Sequence, residues 1–479
     1  MQSSTSPSDA DTSDVVQTLL QTLWRASGGE LGETAQVSFT SQGYLPSFFA
    51  VTELAAASMG AAGLALAKLL DALHHASDRK PETVPRVVVD QRLASFWFAS
   101  TLRPEGWKPP QYSEVAAADY QAQDGWLRLH TNAPHHLAAA LRVLQCSASP
   151  EAMARAVLTW KRDALEARIL AEGGCAATML SSEQWAQHPQ GQAICHEPLI
   201  DWAPGTQASP GPWSFEPAQP LKGLKVLDMT RVLAGPAATR MLAGLGAQVL
   251  RLDAPMWGGS NAPEMTLGKR CAELDLRQAG QRAHWTKLLS EADVFVHGYR
   301  SDALANMGLD PQARQRIRPG LIDVSLDAYG FTGPWHNRRG FDSLVQMSLG
   351  IAQSGQQLAQ SDRPLPLPVQ ALDHATGYLL ATAVLRGLET RVKTGRGSIA
   401  RASLARTGAL LVTTLDPLRL ERPRLAPETP DDLSDQMEHT GWGLARRIRW
   451  PVTVSGVTMH WPLGAGPLKR HTAQWVSLF

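Results

Sequence analysis

Cysteine is scarce in this chain. The four present, Cys146, Cys175, Cys195 and Cys271, lie far apart and form no CxxC pair, which argues against a disulfide framework or a thiolate zinc site. Uninterrupted apolar runs of the roughly 18 residues needed to span a membrane are also missing. The nearest approach, residues 54–73, is flanked or broken by Glu53, Lys68 and Asp71. There is no excess of one charge: 45 Lys and Arg oppose 44 Asp and Glu, so no global field draws the chain to nucleic acid or an anionic membrane. The first strand–turn–helix unit has no GxGxxG, which argues against an ordinary NAD or FAD site. No metal site is indicated either: His135 and His136 are adjacent and diverge, and His130 and Asp124 add no ligand spacing. Residues 1–14, rich in Ser, Thr and Asp, lack the basic-then-apolar order of a signal peptide. A disordered tail over 1–16 and a cytoplasmic protein are the expectations.

What is present describes a globular protein, 44% hydrophobic and 19% charged over 479 residues, too long for one ordinary core. Pro204, Pro210, Pro212, Pro217 and Pro220 mark a linker at 201–220 between two blocks. Beyond it, strands are predicted at 225–229, 248–253, 293–296 and 321–325, with a turn at 230–236 and a helix at 237–245. That alternation implies right-handed crossovers, a mostly parallel sheet and a ligand crevice at the strand ends. The fold class is α/β. In the first block, residues 17–200, helices are expected at 60–73, 134–144 and 150–171, with strands at 86–90 and 124–130. Trp126, Trp160, Trp185 and Trp202 read as core, and Cys175 as a small buried hydrophobe.

Asp373 opens an apolar segment, 371–392, with aliphatic residues at helical spacing. A carboxylate in a first helical turn faces free N–H groups and the positive end of the helix dipole, which favours the ionised form and suits a nucleophile. An acidic residue there is more often only a cap; its surroundings single this one out. Residues 53–60 (ELAAASMG), with the helix, charged turn and β-rich run that follow, read as a worn copy of the segment from 371 onward. Ala55 or Ala56, depending on the frame, stands where the second copy has Asp373, so one copy alone would carry a nucleophile.

Taken in order, 224–236 (LKVLDMTRVLAGP), 245–253 (LGAQVLRLD), 268–276 (GKRCAELDL), 292–300 (ADVFVHGYR), 329–334 (YGFTGP) and 393–397 (KTGRG) resemble the class III CoA-transferases. This CaiB/BaiF-type family includes formyl-CoA transferase, the carnitine CoA-transferases and alpha-methylacyl-CoA racemase. The resemblance implies a Rossmann-like open sheet over 221–419 and a C-terminal return segment over 420–479. Within 17–200, DGW at 124–126 and SEQW at 182–185 resemble the family's small domain, so that block is a degenerate, family-like unit in a partial tandem or rearranged order. Family members are interlocked homodimers. Here either the first block supplies in cis what a second subunit normally supplies, or two such chains form a dimer.

The resemblance implies an acyl-CoA:carboxylate CoA-transferase with Asp373 as nucleophile, working through an aspartyl anhydride and an aspartyl-CoA thioester. CoA or acyl-CoA is then a substrate, with no permanently bound cofactor, and a carboxylic acid is the acceptor. The CoA-contacting residues it implies are Arg231, Val232, Leu233 and Ala234 in the first turn, Lys269 and Arg270 beside the phosphates, Tyr299, Arg300 and Met307 after a later strand, and Arg339. Two departures weaken it: Gly298 replaces an asparagine and Asn306 an arginine, with Arg300 or Arg251 as candidate compensation. Phe341 stands where racemases have an acid/base histidine and moves no proton, which disfavours an acyl-CoA isomerase or racemase. His374, beside Asp373, reads as a polar surface residue. The departures motivate a reading of another class, a non-catalytic CoA-binding or assembly subunit.

Overall fold

The computed structural model describes residues 9–77, 85–109, 117–208, 213, 215–255, 261–300 and 302–476. Runs such as Val226-Leu227 and Val294-Phe295-Val296 are apolar on both faces, as parallel strands covered on both sides by helices must be. They lie in a seven-stranded sheet ordered Lys269–Glu273, Gln248–Asp253, Lys225–Met229, Val294–His297, Ile322–Asp327, Arg396–Ser403 and Asp201–Gln207. The first six are parallel and the last is antiparallel. The α/β expectation holds. From Lys225–Met229 the chain builds outward one way, then returns to build from Val294–His297 the other way. The gap between those two strands is therefore the switch point of the sheet, where ligands of open α/β folds bind.

A second, three-stranded sheet repeats one edge of the first. Val37–Thr40 runs parallel to Val87–Asp90, which pairs antiparallel with Val452–Val454. That is the pattern of Ile322–Asp327, Arg396–Ser403 and Asp201–Gln207. A long helix precedes the middle strand in each case, Val51–Ala76 in one and Ala371–Thr394 in the other, and the two helices pack on each other. A short helix follows each middle strand, capped by Asp90 accepting from Leu93 N–H or by Ser403 accepting from Arg406 N–H. By length and composition the helix Val51–Ala76 could cross a membrane, yet 94% of its apolar window is buried inside the protein.

Three expectations need correction. Helix Asp9–Ala26 occupies much of the expected tail, and Val16, Leu19, Leu20, Leu23 and Trp24 bury one face of it. The first part of the expected linker is the edge strand Asp201–Gln207, which tolerates Pro204 because its outer side needs no N–H donor; residues 209–212 and 214 lie outside the described residues. The expected helix 150–171 is two, Pro150–Val157 and Arg162–Ala171. Asp124 Oδ1 accepts from Arg162 N–H at 2.9 Å and restarts the helix there.

Candidate active site

Asp373 is the third residue of the helix Ala371–Thr394 and is 6% exposed. Four residues on, one turn along the same face, Gly377 touches the helix Ala234–Gly244. A Cβ at Gly377 would fall 2.4 Å from the Ala234 carbonyl oxygen, so only glycine permits this approach. The approach brings the Ala234 N–H near the Asp373 carboxylate, where it favours the ionised form.

The helix start is not free, as the sequence had suggested. Asp342, in the helix Asp342–Ser348, accepts from Asp373 N–H at 2.9 Å and from Leu372 N–H, while Gln346 donates to its other oxygen. Asp342, not Asp373, therefore caps the helix. Burial pushes the Asp342 carboxyl up to about 6, against the pull of those donors. Burial first and the Asp342 charge second hold Asp373 well above the usual carboxylate range, opposed by the Ala234 N–H. The expectation of a carboxylate readily ionised by the helix dipole is thus overturned by desolvation and a like charge.

The loop before Ala234 leaves the sheet at the switch point. Val232 sits in it at φ +64°, a backbone strain that a β-branched residue seldom carries outside a functional site. Arg231 lies over the Tyr299 ring, 5.2 Å from its centroid, and so joins the ends of the two strands that flank the switch point. Leu233 is the residue before the helix. Arg300 and Met307 follow Tyr299; Arg300 is half-buried near Asp302, and Met307 packs against the core under that strand end. Gly298 and Asn306 are both exposed.

Residues 118–178 wall the Asp342 side. Strands Ala118–Ala122, Gly125–Leu129 and Ala176–Thr178 form an antiparallel sheet whose Cys175, Ala177 and Met179 pack on Leu344 and Met347. The Phe341 ring stacks on His130 with centroids 3.6 Å apart. His136 Nε2 lies 3.5 Å from Cys175 Sγ, and burial keeps the thiol protonated, pushing it up to about 12. Arg339, exposed, and Arg231 both act on His135, so the expected basic residues of two segments meet the first block here. Among the described residues no His, Cys, Asp or Glu group could hold a metal.

Other expected contacts lie elsewhere. Lys269 is fully buried and bonded to Asp228 at 3.1 Å, so it is no free phosphate cation. Arg251 is 3% exposed and paired with Asp253 through two bonds of 3.0 and 2.9 Å, which removes it as a compensating contact. Arg270, on the opposite face of the strand from Lys269, is half-buried. His374 is no surface residue: it is 2% exposed, stacks on Phe98 at 5.1 Å, and burial lowers its imidazole to about 3.

The repeated half corrects the frame of the internal copy. Ala50 (φ −74°, ψ 58°) and Gln370 (φ −75°, ψ 64°) precede their helices in the same conformation. Val51 N–H bonds the Phe49 carbonyl and Ala371 N–H the Val369 carbonyl, each at 2.8 Å. The partner of Asp373 is therefore Glu53, not Ala55 or Ala56. Glu53 is 1% exposed and is paired with Arg419, with Arg422 at 3.9 Å. Sequence reading missed Asp342, Gln346 and Glu53 as site residues. The i, i+4 pair Asp342 and Gln346, on a helix that also carries Leu344, Val345 and Met347, was the available signal.

Residues 221–418 match the model of CoA-transferase family III. An acyl-CoA transferase from Gibberella moniliformis is 27% identical over 68% of this chain and 61% of its own length. The human succinyl-CoA:glutarate CoA-transferase is 32% identical over 37% of this chain and 44% of its own length. A solved CAIB/BAIF family protein from Brucella suis is 26% identical over 47% of this chain and 65% of that one, with a TM-score of 0.36. The chain thus spans less than two thirds of these relatives.

Proposed function

We propose that the protein transfers CoA from an acyl-CoA to a carboxylic acid, with Asp373 as nucleophile. The family match supports the class of reaction. One observation carries the assignment of the residue: a buried carboxylate, held by the Ala234 N–H, beside a strained loop at the switch point of the sheet.

The ionised Asp373 attacks the thioester carbonyl, and CoA thiolate leaves to give an acyl-aspartyl anhydride. The thiolate then attacks the Asp373 carbonyl, releasing the first acid and forming an aspartyl-CoA thioester. The acceptor carboxylate attacks that thioester and expels the thiolate, which finally attacks the acceptor's own carbonyl and frees Asp373. Covalent storage keeps the acyl group activated while water is excluded. The Ala234 N–H is placed to donate to the oxyanion formed whenever the Asp373 carbonyl is attacked. Attack needs the ionised carboxylate, so the rate follows the fraction of Asp373 that has given up its proton.

Racemisation is disfavoured, since Phe341 carries no proton and burial holds His374 neutral. The second reading is a CoA-binding or assembly subunit without turnover, motivated by the departures at Gly298 and Asn306. Asp373→Ala separates the two. In a transferase it abolishes exchange of CoA between acyl-CoA and free acid and leaves CoA binding in place. If the wild type binds CoA and exchanges nothing, the binder reading stands.

A further inference from the structure

The Lys269 ammonium is fully buried, and each bond it makes serves the segment beside Asp373. It donates to the Pro236 carbonyl at 2.8 Å, to Thr239 Oγ1 at 2.6 Å and to Asp228 Oδ2 at 3.1 Å. Asp228, equally buried, accepts from Thr230 N–H at 2.9 Å and from the Thr230 hydroxyl at 2.5 Å. Thr239 closes the network by donating to Asp228 Oδ2 at 2.5 Å. One ammonium–carboxylate pair therefore holds both ends of the 230–236 segment. Between those ends lie Val232 at φ +64° and the Ala234 N–H that meets Asp373. Gly235 packs so tightly on Thr230 that a Cβ there would lie 2.3 Å from its side chain.

Stability alone does not account for this arrangement, because a buried ion pair is commonly no better than well-packed apolar residues of the same volume. A strained loop, however, relaxes unless its surroundings fix it. Lysine fits here because its three donors radiate from one atom, and a carbonyl, a hydroxyl and a carboxylate take one each. Its backbone sits two strands from the loop, with Lys269 paired to Val249 and Val249 to Val226, so the side chain crosses a face of the sheet to reach Asp228.

We propose that Lys269, through Asp228 and Thr239, is a positioning residue that holds the strained 230–236 loop and aims the Ala234 N–H at Asp373. This rests on the transferase reading above. It replaces the phosphate contact expected from the sequence.

Lys269→Met and Lys269→Arg in the full chain test it by three readouts: amide exchange of 230–236, CoA affinity by calorimetry, and the separate kcat and KM of transfer. Exchange in the loop should rise by about tenfold or more while the helix Val51–Ala76 keeps its protection. With the oxyanion donor displaced, kcat should fall by about 100-fold, and CoA affinity should stay near that of the wild type. Arginine should rescue little, because its planar fork fits the three acceptors poorly. If Lys269→Met does not fold, Thr239→Val removes one link of the same network and is measured identically. Unchanged loop exchange would overturn the proposal, as would a raised KM with kcat intact, the mark of a phosphate ligand. Loop exchange is read without turnover, so a wild type that transfers nothing would sink the transferase reading and leave the brace still tested.

Discussion

Glu53 and Asp373 occupy the same place in two copies of one structural unit, each the third residue of a long helix entered through the same backbone turn. Their surroundings differ. Asp373 faces a backbone N–H and a second carboxylate, whereas Glu53 is claimed by Arg419. The two helices pack on each other, so one core holds both the proposed nucleophile and the arginine-paired Glu53.

One covalent site per chain follows. Glu53→Gln should still accept a single adduct, at Asp373, because its own carboxylate is engaged by a guanidinium and takes no part. Its stability should fall by about 3–5 kcal/mol, since Arg419 is left buried without its charge partner. Intact mass and urea unfolding read the two effects. A second adduct on the wild type, lost in Glu53→Gln, would show that both copies react.

The Asp342 charge adds to burial in raising the Asp373 carboxyl. In Asp342→Asn the side-chain carbonyl can still cap the helix, but the like charge is gone, so the pKa of Asp373 should fall. The acid limb of the kcat profile should therefore move to lower pH. An unmoved limb would mean that burial alone raises the Asp373 carboxyl.

Gly377→Ala tests the helix contact. Its methyl would meet the Ala234 carbonyl at 2.4 Å, a backbone atom that cannot step aside cheaply. Destabilisation of about 1–3 kcal/mol is expected, with kcat falling further than folding accounts for because the Ala234 N–H leaves the carboxylate. A variant as stable and as fast as the wild type would show the approach to be slack.

Acid should weaken the protein in two stages. Burial lowers His374 and His130 to about 3 and His136 to about 4, from 6.5. These groups stay neutral when folded and take protons when unfolded, so their stabilisation is complete above 6.5 and is lost as pH falls toward 3. Glu264 is lowered to about 2 by Arg447, Arg240 and donors from Thr101 and Leu102, despite its burial; its contribution is lost between 4.5 and 2. His374→Phe keeps a ring against Phe98 and removes the titration, so urea midpoints from pH 7 to 4 should fall less steeply. An identical slope would exclude His374 from the effect.

Much of the second block was legible because its strands are continuous apolar runs, and Lys225–Met229 and Gln248–Asp253 begin and end where the pattern does. Asp373 was legible because one helix carries it. The other half of its site was not, since Asp342 comes from a helix that only tertiary packing brings alongside. The fate of Lys269 was equally hidden, because its partner Asp228 lies two strands away in the sheet. Glu53 was missed by two or three positions: the shared helix entry is a backbone shape, and Ala50 and Gln370 have no side-chain chemistry in common. The helix Asp9–Ala26 was visible in the spacing of Val16, Leu19, Leu20, Leu23 and Trp24, but the polar residues before it dominated the reading.

The central claim is that Asp373 carries the acyl group. Incubating the full chain with a panel of short and medium acyl-CoAs, with and without hydroxylamine, and mapping the adduct by mass spectrometry tests it most directly. One hydroxylamine-sensitive adduct per chain is expected, on the peptide containing Asp373 and absent from Asp373→Ala. An adduct on another residue would contradict the claim, as would none with any donor while CoA binding is measurable.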